Sequence, residues 1–519
     1  MPHHRAQRVA PHVLCLAIRA VLGATAGATL LAGCAVGPDF KQPAAPEHGG
    51  FVESPLPQQI APAGVDGAPA QQVRVGNDLA AQWWTLYRSE ALNKFIAEAL
   101  RDNASLAASA AALRQATETL AVNEGNLLVP GVNGQLNTER ERASGAQIGF
   151  NSPPATFALF NAGVSVSYTL DLFGGIRRQI EGFRAQIDYQ QNQLRAAQLA
   201  LTANIVTSVI REAQLREQIQ ALREVEKLER SGLAIVERRF ALGAVTKTDV
   251  LNQRSALAAT IAAIPPLERQ RAQTRHLLAL YAGKTPTEVD LAALDLAQLT
   301  LPVDIPVSLP SDLARQRPDI LEAEALLHQA SAQVGVATAS LYPQITLGGT
   351  YGYTALSASQ LFKPASMVWG LSAGLVQPIF HGAALSAQRR AALAAFDEAA
   401  ANYRQTVLTA FANVADSLRA LEFDAQALTA VADSYDEARA AAELAQKQFD
   451  AGAASFLSLL SAQQQYRQAA VQLVQARADR FADTAALFQA LGGGWWNGAP
   501  GPAGAQAAPA GSAAAVARN

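Results

Sequence analysis

The sequence predicts an α+β chain built from a duplicated half, with two pairs of short strands set between very long helices. Three observations carry this. The first is repetition: Arg239 to Thr246 (RFALGAVT) recurs in outline as Gln448 to Ser455 (QFDAGAAS), so that Phe240 matches Phe449 and Gly243 matches Gly452. Leu170 to Gly175 matches Gln377 to Gly382, and Leu127 to Pro130 matches Ser340 to Pro343, all about 210 residues apart and in the same order. The second is helical length, since residues 177–240 run without proline. The third is a set of alternating segments, each about ten residues long, the length a tilted strand needs to cross a bilayer.

Taken in chain order, residues 1–33 read as an export signal. Arg5, Arg8 and Arg19 precede an uncharged apolar stretch from Ala20 to Ala32, and Leu31-Ala32-Gly33 leads into Cys34. A basic region, a short apolar region and small residues before a cut site describe a cleaved leader. The cysteine at that place resembles a lipidation site, and Cys15 falls in the removed part, so Cys34 is left without a disulfide partner. Ala35 in the next position lacks the aspartate associated with inner-membrane retention. Residues 34–76, rich in Pro, Ala, Gly and Gln, read as an extended tether. Residues 495–519, dominated by Gly, Ala and Pro, read as a disordered tail.

Between these ends, a first repeat is expected at 77–284, an equatorial connector at 285–310 and a second repeat at 311–494. A helix is expected from Leu92 to Leu128. Pro265-Pro266 is expected to break the third helical stretch, and Pro318 to open a helix. Phe411, Val414, Leu418, Leu421, Ala425 and Leu428 step by three and four in turn, the period of a supercoiled seam.

Val164, Val166, Tyr168 and Leu170 alternate with Ser165, Ser167, Thr169 and Asp171. Gln344 to Tyr353 behaves alike, Trp369 to Leu375 forms a third such face, and Val132 to Arg142 a weaker fourth. The strand pairs are expected at 131–171 and 343–379, with connecting loops at about 143–161 and 354–367. Four strands cannot close a barrel, because the smallest membrane barrels have about eight. An open edge in lipid would leave backbone groups unsatisfied. If these strands span a membrane, several chains must share one barrel.

Composition narrows the rest. Half of the residues are hydrophobic and only 6% aromatic, which suits closely packed alanine-rich helices. The net charge of −2 gives no reason to expect a nucleic-acid partner. His48, His276, His328 and His381 show no metal-ligand spacing, and nucleotide and hydrolase motifs are missing from the sequence. No cofactor, metal or catalytic residue is expected.

The chain resembles the TolC-type outer-membrane factors, in the lipoprotein branch serving tripartite drug efflux. The residues that carry this are Cys34-Ala35-Val36-Gly37-Pro38-Asp39-Phe40, Arg317-Pro318-Asp319-Ile320, Leu341-Tyr342-Pro343, Pro378-Ile379-Phe380, and the turns around Gly243 and Gly452. The resemblance runs from Cys34 to about Gly494. It implies a homotrimer in which four strands per chain make a twelve-stranded transmembrane β-barrel, continued by a long periplasmic α-helical barrel with a mixed α/β belt. It implies lipidation of Cys34, residence in the outer membrane, and partnership with a periplasmic adaptor and an inner-membrane pump. It places turns 243–249 and 452–458 at the periplasmic tip, where Gly243, Asp249, Phe449 and Gly452 are the candidate gate residues. Thr246 or Thr248 is available to cap the helix after the first turn, and Asp249 reads equally as a cap or as a pore-facing gate. Ser455 to Ser461 and Ala454 stand where the family often carries acidic and basic residues, so the usual acidic ring is not evident. The expected function is a passive exit duct for drugs or other small molecules. A duct for type I protein secretion and a pore-free periplasmic spacer are the alternatives; the alternating strands speak against the spacer.

Overall fold

The computed structural model describes residues 35–44, 50–54, 57, 59–60, 69–144, 153–288 and 298–498. They form two compact units, and four helices have residues in both. The expectations for the signal segment, Cys34 and the tail beyond Gly498 lie outside the described residues.

The first unit takes residues up to 42, 113–189 and 323–403. Its sheet has four strands: β3 (Gly131–Ala143), β4 (Ala155–Leu170), β6 (Gln344–Ala355) and β7 (Met367–Val376). They are hydrogen-bonded in the order β3-β4-β6-β7, every pair antiparallel. The two expected pairs are thus two hairpins joined side by side, β4 against β6. The strands outrun expectation at one end. Residues 155–161, expected in a loop, extend β4 because Thr156 to Asn161 pairs with Asn137 to Arg142. The loop between β6 and β7 carries short 3₁₀ turns at Ala358–Gln360 and Pro364–Ser366.

The second unit takes most of the remainder. A small sheet joins β1 (Gln59–Ile60), β2 (Gln71–Val75) and β5 (Asp304–Val307), with β2 antiparallel to β1 and parallel to β5. The region read as a bare tether therefore contributes structure. Ile60 is buried, and the buried Gln71 donates to the Pro302 carbonyl and to Thr484 Oγ1. The expected single helix over 92–128 is two, α1 (Glu90–Asp102) and α2 (Ala104–Leu128). Asn103 separates them in an extended conformation, its Oδ1 accepting from Leu106 N. A short amide side chain that competes for backbone hydrogen bonds favours such a break.

Helices α3 (Gly175–Ala241) and α7 (Ala384–Asp450) have 67 residues each, about 100 Å at 1.5 Å per residue. Each returns through a 35-residue partner, α4 (Lys247–Tyr281) and α8 (Phe456–Ala490). The seam on α7 holds: Val414, Leu418, Leu421, Ala425 and Leu428 are buried and Phe411 packs against them. Pro265-Pro266 does not break α4. Each proline removes one donor to a carbonyl four residues back. Those carbonyls belong to Ile261 and Ala262, both solvent-exposed, so water can satisfy them, while Ile264 keeps the helix packed.

The last described residues also differ from expectation. Trp495–Asn497, expected in the disordered tail, is a 3₁₀ turn. Arg195 lies over the Trp495 ring at 3.8 Å, Trp495 Nε1 donates to the Gln316 carbonyl, and Asn497 donates to the Leu79 carbonyl. In chain order β5 is followed by the short α5 (Pro310–Gln316) and the 22-residue α6 (Pro318–Ala339), the latter opening on Pro318 as expected.

A two-faced sheet and a pair of matched helical turns as the candidate functional site

In the four-stranded sheet, residues directly opposite share a face, so the register sorts every side chain. One face carries Val132 and Leu136 of β3, then Val164, Val166, Tyr168 and Leu170 of β4. Ile345, Leu347, Tyr351 and Tyr353 of β6 continue it, followed by Trp369, Leu371, Ala373 and Leu375 of β7. Leu371 is 83% exposed and Trp369 70% exposed within the single chain. The other face carries Asn133, Gln135, Asn137, Ser165, Ser167, Thr169, Thr346, Thr350, Thr354 and Ser372, interspersed with Gly163, Gly348, Gly352, Gly370 and Gly374. Phe157, Leu159, Val368 and Val376 are apolar exceptions on it. A water-soluble sheet buries its apolar face, whereas this one leaves it bare within the chain, together with the unpaired backbone edges of β3 and β7.

The glycines on the polar face include a directly opposed pair, Gly163 and Gly352. A Cβ on Gly352 would meet the Ala162 carbonyl at 2.5 Å, so the two strands approach as only glycine permits.

The chain just after Cys34 packs on this unit, which gives the opening motif a physical reading. Val36 N donates to the Phe173 carbonyl, and Phe40 stacks on His328 at 4.3 Å. Arg178, whose side chain is almost fully buried, pairs with Asp39 at 2.5 Å and with Glu181 at 2.8 Å. Gly37 has φ of +96°, and a Cβ there would meet Gly335 Cα at 2.5 Å.

The second unit holds the two matched turns, and their repeated sequence builds one motif twice. Ala244 N donates to the Arg239 carbonyl and Gly243 N to the Phe240 carbonyl; Ala453 N donates to Gln448 and Gly452 N to Phe449. These paired bonds close a helix C-terminus through a left-handed residue. Gly243 and Gly452 supply it at φ of +73° and +74°. No heavy atom lies within 4 Å of a Cβ built on either, so conformation and not space demands glycine. Three residues on, Thr246 and Ser455 cap the returning helices.

Asp249 takes the role of a cap. Its Oδ2 accepts from Thr246 N and Thr246 Oγ1, each at 2.8 Å, while Thr246 Oγ1 accepts from Asp249 N. That reciprocal box accounts for its carboxylate. The matching residue in the other turn is Ser458, so only the first turn has the box. Phe449 is 3% exposed, packed with Val236, Val250, Phe456 and Leu459. The ends of the two hairpins are therefore not loose, as hairpin ends alone would be, but share an apolar cluster.

Arg239, which opens the first copy of the repeat, links the two turns. Its guanidinium lies 4.3 Å from the Phe449 ring centre and donates to the Phe449 and Asp450 carbonyls, both at 2.7 Å. It satisfies the last carbonyls of α7 and ties the first turn to the second. The signal was present in the repeat: arginine at 239 is matched by glutamine at 448. Among the described residues, Asp249 makes no such bond to the second turn.

In the same unit, the Arg317-Pro318-Asp319 run also resolves into contacts. Arg317 forks onto Asp319 at 2.9 and 2.7 Å and donates to the carbonyls of Ala410 and Ala490. Asp483 on α8 has its carboxyl pushed up to about 8, first by burial, then by a hydrogen bond and the charges shared with Asp424 and Asp479. No described helix is long and apolar enough to cross a membrane, and no described cluster of His, Cys, Asp and Glu has the makings of a metal site.

A bare apolar face on strands, set in a chain with duplicated rods and turns, narrows the fold families sharply, and sequence comparison decides among them. The family described as outer membrane efflux protein matches residues 95–284 and 309–493. The chain belongs to this family. Among outer membrane efflux proteins, it is 31% identical over 443 residues to the pyoverdine export outer membrane protein OpmQ of Pseudomonas putida, covering 85% of this chain and 93% of that one. It is 27% identical over 472 residues to the probable outer membrane lipoprotein SilC of Salmonella typhimurium, covering 90% and 97%. Its fold matches the outer-membrane channel OprN with a TM-score of 0.80 at 27% identity, over 89% of this chain and all of that one. The open state of the Neisseria gonorrhoeae MtrE outer membrane channel matches with a TM-score of 0.75 at 25% identity, over 89% and 99%.

Proposed function

We propose that this outer membrane efflux protein is the passive exit duct of a tripartite pump for small molecules. The observation that carries the reading is the two-faced sheet with its two open edges. The apolar face suits lipid, the polar face suits water, and the edges of β3 and β7 require partners in a bilayer. Three copies, each giving four strands, close a twelve-stranded barrel and leave no edge. A lipid on Cys34 anchors each copy, and the strap from Val36 to Phe40 holds the chain beside it against the strand-to-helix junction.

The matched turns face the periplasmic adaptor and pump in this reading. They are the moving part, with Gly243 and Gly452 as pivots, Asp249 fixing the start of α4, and Phe449 in the cluster that opening must disturb. The chain carries no nucleotide motif, so a partner drives opening by binding the open arrangement more tightly than the closed one. The polar face bears no ring of charge along most of its length, which fits a duct that does not select its cargo.

The test is assembly and conduction. Purified protein cross-linked in detergent is expected to give a ladder ending at three and to form channels in planar bilayers. A detergent-free, monodisperse, soluble monomer would overturn the barrel and the duct together. Deleting the gene is expected to sensitise cells to small toxic molecules; loss of a secreted protein without that sensitivity would favour the secretion alternative.

A further inference from the structure

The register places two arginines on the apolar face. Arg140 pairs with Ala158 and Arg142 with Thr156, so both point the same way as Leu136, Val164 and Val166. Glu139 and Glu141, which alternate with them, point to the polar face with Asn137. Both arginines are exposed, and among the described residues neither has an ion-pair partner.

Height along the strand decides what they meet. Strands rise about 3.3 Å per residue, and a tilt of about 40° leaves roughly 2.5 Å of height for each. An apolar band about 25 Å tall then spans about ten residues of β4, from Leu170 to Phe160. Four of the five aromatics on this face stand toward the same end, Phe160, Tyr353 opposite Ala162, Tyr351 opposite Val164, and Trp369 opposite Tyr351, while Tyr168 lies near the other. Arg140 lies two residues beyond Phe160 and Arg142 four. Arg140 stands roughly 5 Å above the band, within the headgroup zone, which is about 5–7 Å deep on each side, and Arg142 roughly 10 Å above it, just beyond that zone, from where its long side chain reaches back toward the headgroups. An arginine on a lipid face costs about 2–4 kcal/mol at mid-bilayer but close to nothing at this height. Planar guanidinium groups bind phosphate through paired donors.

We infer that Arg140 and Arg142 form a binding site on the outer rim of the barrel for the phosphate groups of an anionic lipid in the outer leaflet. This rests on the duct reading, because only the barrel makes the apolar face a lipid face. The ligand is a phosphorylated lipid headgroup, met from the side by the protein's outer wall and not by its lumen.

The experiment uses the full-length trimer in nanodiscs of phosphatidylcholine doped with a diphosphorylated glucosamine glycolipid, or with the same lipid after phosphate removal. Bound glycolipid is counted by native mass spectrometry. Each basic residue near an anionic surface contributes about fivefold in affinity, so Arg140→Gln with Arg142→Gln is expected to weaken retention roughly twenty-five-fold. Arg140→Lys with Arg142→Lys is expected to recover part of it, and Glu139→Gln with Glu141→Gln, on the opposite face, to leave it unchanged. The dephosphorylated lipid is expected to bind the unmodified protein no better than the phosphorylated one binds the double glutamine variant. Equal retention of the phosphorylated lipid by unmodified and double-glutamine trimers of equal conductance would overturn the inference alone. Failure of the unmodified chain to form conducting trimers would overturn the duct reading and this inference with it.

Discussion

Replacing Arg239 with alanine removes a side chain that joins the two turns by hydrogen bonds. Two donated bonds of 2.7 Å to the Phe449 and Asp450 carbonyls are lost, along with the stack on the Phe449 ring. Arg239 is half-buried, so the bonds are taken at about 1 kcal/mol each, the ordinary net worth of a hydrogen bond. The ring contact adds about 0.5–1 kcal/mol, giving about 2.5–3 kcal/mol per chain. The carbonyls released lie at the end of α7, so the effect is read at the neighbouring amides of Ala451, Gly452 and Ala453, which bond back to Lys447, Phe449 and Gln448. Native-state hydrogen exchange at those amides is expected to quicken about 60- to 140-fold, since about 1.4 kcal/mol is tenfold. Arg239→Lys, which keeps charge and loses the fork, is expected to fall between. Single-channel conductance is expected to rise with the exchange rate if this tie holds the resting turn. Unchanged exchange at Gly452 and Ala453 in a folded Arg239→Ala trimer would refute the argument.

The remaining expectations are simpler. Val166→Arg puts a charge on the apolar face and is expected to cost about 2–4 kcal/mol, whereas Ser165→Arg, on the polar face, should assemble normally; trimer yield after membrane extraction compares them. Asp249→Ala removes half of a capping box and is expected to lower thermal stability by about 1 kcal/mol with no change in conductance; a raised conductance would return Asp249 to the gate. Asp483 holds its proton in the folded chain up to about pH 8, while an unfolded aspartate releases it near 4. Folding is therefore favoured at the acid end and loses this contribution as pH climbs from about 4 to 8; the thermal midpoint of Asp483→Asn, measured against the unmodified protein, should gain progressively over that window. Mass spectrometry of the mature N-terminus should find lipid on Cys34, and Cys34→Ser should reduce abundance more than conductance.

Much of this was legible because short-range physics wrote it. The repeat at Phe240 and Phe449 fixed the same hydrogen-bonded turn twice, and the seam on α7 followed from spacing alone. The misses share a different cause, because each depended on a neighbour distant in sequence. Residues 155–161 look like a loop until Asn137 to Arg142 are laid beside them. Pro265-Pro266 forbids a helix locally and is overruled by packing at Ile264. Trp495 belongs to a Gly- and Ala-rich tail by composition, yet Arg195, some 300 residues earlier, holds its ring. Arg239 needed its acceptors, which are backbone carbonyls and leave no mark in a sequence.

The glycine, serine, threonine, asparagine and glutamine of the polar sheet face have a consequence for traffic through the duct. Each hydroxyl or amide there both gives and takes hydrogen bonds, so the water beside it need not reorganise when a solute passes. The glycines between them offer neither a dry hollow nor a protruding group. A greasy molecule sliding along such a wall finds little to adhere to, and a charged one finds no counter-ion along most of the way. Friction stays low for cargo of unrelated chemistry, so the wall itself does little to sort what passes along it.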